Sequence, residues 1–218
     1  MAQRMIHYAI AKKVIEKGLI IDKERFIIGS LIPDSHNHNK EERKKTHFML
    51  IENNRKTYDF DTFFEKYKKE ILNDDLYLGY YIHLVTDAVY RVFLYHKKGL
   101  NQKRKEPDFI NKIYHDYHAL NKIIIKEYEL EKIKIDVSQI PNEWNLTTLD
   151  NLENEISSDF QDQLQEPFNY FSYELLKEVM DFIIDVVVKE VENVRKNKRS
   201  GLDINDYWYE SWKIYNIS

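Results

Sequence analysis

Residues 76–95 read LYLGYYIHLVTDAVYRVFLY. Apolar or aromatic side chains fall on nearly every side of a helix drawn through this stretch, which predicts a helix buried in a core rather than one lying on a surface. Asn73, Asp74 and Asp75 precede it and supply a cap and negative charge at its N-terminus. Lys97, Lys98 and Gly99 follow as the matching stop signal, so the predicted helix spans 74–96. Its length suits a membrane span of roughly 20 residues. Its content does not, because His83, Thr86, Asp87 and Arg91 all lie within it. His83 and Asp87 are four residues apart and share one face. A buried carboxylate costs on the order of several kcal/mol unless something compensates it. A divalent cation is one compensator, and a salt bridge from Asp87 to Arg91 is another.

The rest of the chain also reads as helical. Only 5 glycines and 4 prolines punctuate its 218 residues, and long periodic runs separate them, which predicts an all-α fold. The length suffices for a sizeable core. With no internal repeat, low-complexity segment or linker in view, residues 1–218 are expected to form a single helical domain. There is no cysteine, so disulfides and thiolate metal sites are excluded. Any metal must be held by His, Asp, Glu or backbone oxygen, which points to zinc, manganese, iron or magnesium. The start MAQRMIHYAI lacks the apolar centre of a signal peptide, so a cytoplasmic location is expected. A formal charge of −4 gives no general attraction to nucleic acid, and no stable nucleic-acid complex is expected. The basic runs 97–105 and 195–199 read as solvated loops.

In chain order, 4–17 forms an amphipathic helix stopped at Gly18, with His7 on the face of Ile10, Ala11 and Val14. Asp22 caps a second helix, KERFIIGS. Pro33 then breaks it, and a polar loop carrying Asp34, His36 and His38 runs to Thr46. His47 opens the apolar segment HFMLI, and Asp61 caps a helix to about residue 71. Pro107 starts a helix whose apolar stripe includes Phe109, Ile113, Tyr117 and Leu120. On it, Asp116 faces inward, His115 outward, and His118 lies between. Residues 132–144 read as turns, 146–164 as a short helix with connections, and Pro167 begins the last long helix, to about 196. Asp203 caps a short tail containing Trp208 and Trp212.

All eight histidines lie before residue 119, so a histidine site must be assembled by the first half of the chain. The order is a histidine in the first helix, then Gly-Ser-Leu-Ile-Pro-Asp at 29–34, Thr-His-Phe at 46–48, and Gly-Tyr-Tyr-Ile-His-Leu-Val-Thr-Asp at 79–87. This series resembles the zinc-dependent phospholipase C family, whose all-helical fold is shared with single-strand-specific fungal nucleases. The resemblance covers roughly residues 5–90. It implies that Asp34, His47, His83 and Asp87 bind a principal metal and that Asp87 bridges to a further metal joined by His7. It also implies that Asp34 acts as general base for the attacking water.

Two departures from the family pattern stand out. Secreted members use their mature amino terminus as a ligand, whereas here Met1 precedes His7 by six residues. A later histidine and His-x-x-x-Glu pair have no counterpart, which leaves His115, Asp116 and His118 as candidate substitutes or as partners orienting a ligand. One or two ions per chain, most naturally zinc, are therefore expected, with a small phosphate ester as substrate and a metal-activated water as nucleophile. Two alternatives remain open. One is an HD-type metal-dependent phosphohydrolase built on the adjacent pair His115-Asp116. The other is a non-catalytic helical protein with a structural metal.

Overall fold

In the computed structural model, which describes residues 2–35, 40–144, 149–162 and 167–210, Asp74 accepts a hydrogen bond from the Leu76 N–H at 2.9 Å and opens the central helix α6 (Asp75–Tyr90). Asp75, the first helical residue, accepts from the N–H groups of Ile21 and Asp22 at 2.9 and 2.6 Å and pairs with Arg195. Every residue of α6 except Tyr77 is buried. The chain is predominantly helical, as its composition predicts.

Before α6 come α1 (Arg4–Glu16), α2 (Lys23–Leu31), α3 (Lys40–Thr46), α4 (Phe60–Lys66) and α5 (Lys68–Asn73). After it come α7 (Leu100–Lys103), α8 (Phe109–Glu127), α9 (Leu149–Asp159) and α10 (Tyr173–Asn197). Helices α2, α5 and α10 pack around α6, and α1 lies across α2, α8 and α10. The buried apolar side chains form one continuous cluster running through these helices. No helix among the described residues is long and apolar enough to cross a membrane.

Several boundaries differ from the sequence expectations. The central α-helix ends at Tyr90, and Arg91–Lys97 continues as a π-helix, a wider turn that occurs frequently at functional sites. The stretch after residue 39 is not loop to Thr46 but α3, with Glu41 and Glu42 in its first turn and three basic residues in its last. Asp59, not Asp61, caps α4 by accepting from the Thr62 N–H at 2.9 Å. A break at Tyr67 separates α4 from α5. The last long helix begins at Tyr173 with Ser172 as its cap, six residues beyond Pro167.

A small sheet was not expected. The segment HFMLI leads into β1 (Met49–Glu52), which pairs antiparallel with β2 (Arg55–Tyr58) in the register Met49↔Tyr58 to Glu52↔Arg55. Asn53 and Asn54 join them with φ of 46° and 63°, the left-handed pair that a two-residue hairpin needs and that asparagine tolerates. A short β3 (Tyr209–Glu210) adds to β2, giving the order β1-β2-β3. The sheet brings Tyr58 against His47, with ring centroids 6.1 Å apart.

Candidate metal centre

Two glycines set the geometry. A Cβ on Gly29 would overlap the Leu76 carbonyl, and one on Gly79 would overlap the Phe26 carbonyl. Helices α2 and α6 therefore cross backbone to backbone. His83 stands one turn beyond Gly79, and Ser30 follows Gly29. The close crossing lets His83 Nδ1 reach the Ser30 carbonyl at 2.8 Å. A carbonyl only accepts, so Nδ1 carries the proton and Nε2 presents a lone pair.

His47 follows the end of α3 and is oriented in the same way. Its Nδ1 lies 3.0 Å from the Arg43 carbonyl and 2.9 Å from Thr46 Oγ1. Its Nε2 points at His83 Nε2, 3.2 Å away. Two lone pairs at that distance repel unless a cation lies between them, and a proton or a metal ion can fill that role. Two ligand nitrogens of a tetrahedral ion, each roughly 2.0–2.1 Å from it, stand about 3.3 Å apart.

Two carboxylates join the pair. Asp34 Oδ1 is 3.3 Å from His47 Nε2. Asp87 Oδ2 is 3.6 Å from His47 Nε2 and 3.9 Å from His83 Nε2. The other oxygen of Asp87 accepts the Ala2 N–H at 2.7 Å and lies 3.5 Å from His7 Nε2. His47, His83 and Asp87 are 0 % exposed, His7 1 % and Asp34 5 %.

Burial, then the neighbouring His7, pulls the His83 imidazole down to about 3, so it is neutral at neutral pH and available as a ligand. Burial opposes ionisation of Asp34, yet the adjacent His47 imidazole, then those of His83 and His7, hold its carboxyl well below the usual range. For Asp87, burial is likewise overcome by nearby positive charge and then by His7 and His83, and the carboxyl is lowered.

The donor set fits a divalent ion. Both nitrogens of His7 and the Oδ2 of Asp87 are buried without a hydrogen-bond partner, and such orphans are otherwise costly. Among the described residues, two groups have ligand atoms close enough to share an ion, His7 with His83 and Asp87, and Asp34 with His47 and His83. The rings of His7 and His83 are stacked, with centroids 3.7 Å apart and planes within 11°. Their in-plane lone pairs run side by side rather than converge on one point. Asp34, His47 and His83 therefore form one convergent group, with the Oδ2 of Asp87 beside both imidazoles and His7 on the Oδ1 side.

The remaining sequence candidates are placed elsewhere. Asp116 is buried, as its position on α8 predicts, but it accepts from the backbone N–H groups of Asn169, Tyr170 and Phe171 at 2.7 to 3.1 Å and from Asn169 Nδ2. It anchors the turn leading into α10. His115 lies half-exposed beside it, with Nδ1 3.3 Å from Asp116 Oδ1. The side chain of His118 is 60 % exposed and pairs with Asp162 at 3.0 Å. None of the three belongs to either candidate metal group. His36 and His38 lie outside the described residues, as does Trp212.

Asp34 also faces a cavity of about 610 Å³, lined among others by Arg4, Arg43, Arg91, Arg104 and Tyr117, with His118 at its wall. Arg4 is neutralised by Glu155 at 2.6 Å and Asp159 at 2.8 Å. That triad carries one surplus negative charge, and with Asp34 it is outweighed by Lys40, Arg43, Arg91 and Arg104, so the cavity lining is cationic on balance. No ion pair joins Arg91 to Asp87 among the described residues, so the salt bridge weighed from the sequence does not form. Its guanidinium lies instead over the rings of Tyr95 at 3.8 Å and Tyr209 at 4.7 Å. The basic runs are not wholly solvated either, since Arg104 lines the cavity and Arg195 binds Asp75 and the Leu72 carbonyl.

The glycine pair was not singled out from the sequence, and of the cavity arginines only Arg91 was weighed, as a partner for Asp87 rather than as part of a cavity wall. A signal existed for the glycines: two of only five lie inside helices, each next to or one turn from a site residue. No protein-family model, no curated protein and no solved structure matches the chain.

Proposed function

We propose that this chain is a metal-dependent hydrolase of phosphate esters. The observation that carries the reading is the pair of imidazole Nε2 atoms held 3.2 Å apart by backbone carbonyls, beside a carboxylate that opens onto a cationic cavity. Asp34, His47, His83 and Asp87 would hold the principal ion, with zinc the natural choice for an imidazole and carboxylate set. His7, with the far oxygen of Asp87, would serve a second. When bound, the metal lowers the pKa of water and stabilises developing charge at phosphorus.

The protein's own groups would do the rest. The Ser30 and Arg43 carbonyls fix both imidazoles with Nε2 inward. Asp34, at the boundary between the cluster and the cavity, would accept the proton of the attacking water. The cavity arginines attract and orient an anionic ester. The adjoining cavity favours this reading over a purely structural metal, which needs no such opening. The commitment of Asp116 to the 169–171 backbone counts against a site centred on His115-Asp116.

The test is hydrolysis of p-nitrophenyl phosphate and bis-p-nitrophenyl phosphate before and after chelation. The expected result is activity toward one ester that chelation abolishes, that divalent metal restores, and that Asp34→Asn lowers by roughly a hundredfold or more. Metal binding with no hydrolysis of either ester, or hydrolysis indifferent to chelator, would overturn the reading.

A further inference from the structure

The half-buried arginines of this chain mostly have carboxylate partners. Arg4 has Glu155 and Asp159, Arg25 has Asp74, and Arg195 has Asp75. Arg91 differs. No carboxylate lies within ion-pair distance of it among the described residues, and its Nε is shielded from solvent without a hydrogen-bond partner. It stands at the start of the π-helical turn, where the wider winding leaves Tyr95 stacked on its guanidinium at 3.8 Å. The guanidinium of Arg104 lies against the same ring at 4.7 Å. Both arginines line the cavity that Asp34 enters from the metal cluster.

A guanidinium keeps its charge at any accessible pH and presents N–H donors in a planar fork matched to oxyanions. Aromatic faces offset part of the cost of shielding it, but they leave those donors unmet. Arg91, with Arg104 against the same tyrosine ring and facing the same cavity, forms a built anion cradle.

We propose that Arg91 and Arg104 form a second anion-binding subsite, distinct from the metal cluster. The natural ligand is accordingly a small organic phosphate carrying a second oxyanion group, phosphate, sulfate or carboxylate. Its first phosphoryl group meets the cluster, its second anion meets the two arginines, and its body lies against the wall of Phe109 and Ile113. The assignment of a substrate rests on the hydrolase reading. The anion subsite itself does not.

The test uses inorganic phosphate as the probe, titrated at constant ionic strength into metal-stripped protein and followed by calorimetry. Stripping removes the metal's own attraction for phosphate. Saturable binding is expected for the wild type and for Asp87→Asn, weakened roughly tenfold or more in Arg91→Gln, where a charge-assisted contact is lost. Arg91→Lys, which keeps the charge but not the fork, is expected to fall between. Should Arg91→Gln fail to fold, Arg104→Gln carries the same expectation. No saturable binding to the stripped wild type, or unchanged affinity in the folded arginine variants, would overturn the proposal. Phosphate binding without any metal-dependent hydrolysis would leave this subsite standing and remove the hydrolase reading. Metal-dependent hydrolysis without phosphate binding by stripped protein would do the reverse.

Discussion

Replacing Asp87 by Asn keeps the side chain's shape and removes one negative charge from the cluster. Its effect should depend on whether metal is present. In the metal-free protein, Asn Oδ1 can still accept the Ala2 N–H that Asp87 accepts at 2.7 Å. The new NH₂ would face His47 Nε2 and His83 Nε2, which lie 3.6 and 3.9 Å from Asp87 Oδ2. It can donate toward their lone pairs where a carboxylate oxygen opposes them. Arg91 is not left stranded, because its guanidinium rests on tyrosine rings rather than on Asp87. The penalty of roughly 3–5 kcal/mol for breaking a buried ion pair therefore does not arise. Metal-free stability should be unchanged or slightly raised.

With metal the balance reverses, since an anionic ligand is lost. If affinity falls about a hundredfold, the stabilisation supplied by saturating metal shrinks by roughly 2.7 kcal/mol. For a chain of this size that corresponds to roughly 5–11 °C in the metal-dependent part of Tm. The assay is thermal unfolding of wild type and Asp87→Asn, each with chelator and with a fixed excess of zinc. Equal destabilisation of the variant in both conditions, with the same zinc content as wild type, would refute the reasoning.

Gly79→Ala should force apart the backbone crossing of α2 and α6, costing about 1–3 kcal/mol or more; it should also reduce metal content, because His83 loses its register with Ser30. Normal metal uptake by folded Gly79→Ala would show that the crossing does not set the site. Asp116→Asn should destabilise by roughly 1–3 kcal/mol at pH 6 without changing metal content, since the carboxylate serves the 169–171 backbone. Burial opposes ionisation of Asp116, but its backbone and side-chain donors lower its pKa overall, so its contribution is present above the ordinary carboxylate pKa of about 3.9 and is lost as pH falls through the lower folded value. The gap between wild type and Asp116→Asn, measured by urea unfolding, should accordingly narrow from pH 6 toward pH 3; a constant gap would argue against an ionised Asp116 as the anchor.

The central helix was legible because burial on every side leaves an unmistakable pattern in 76–95, and because helical spacing places His83 and Asp87 on one face. The inward aim of His7 followed from its apolar neighbours on α1. That Asp34 and His47 would meet these residues could not be read from periodicity, since it depends on a tertiary crossing. It entered only through the order of short motifs. The hairpin escaped notice because its strands are four residues long and its apolar run stops at Ile51. The start of α10 was misplaced because Pro167 is a plausible first helical residue, while Asp116 draws the backbone of 169–171 away from helical pairing. The π-helical turn has no local sequence signature. The role of Arg91 followed from that turn, and a formal charge count could not reveal it.

The central claim is that His7, Asp34, His47, His83 and Asp87 form a metal centre. Its most direct test is the metal content of wild-type protein stripped with chelator, re-equilibrated with zinc, freed of excess and analysed by inductively coupled plasma mass spectrometry. Two side-by-side donor groups that share His83, which can give only one nitrogen, predict one or two ions per chain and loss of the principal ion in His83→Ala. Retention of no zinc by folded wild-type protein, or the same content in His83→Ala, would contradict it.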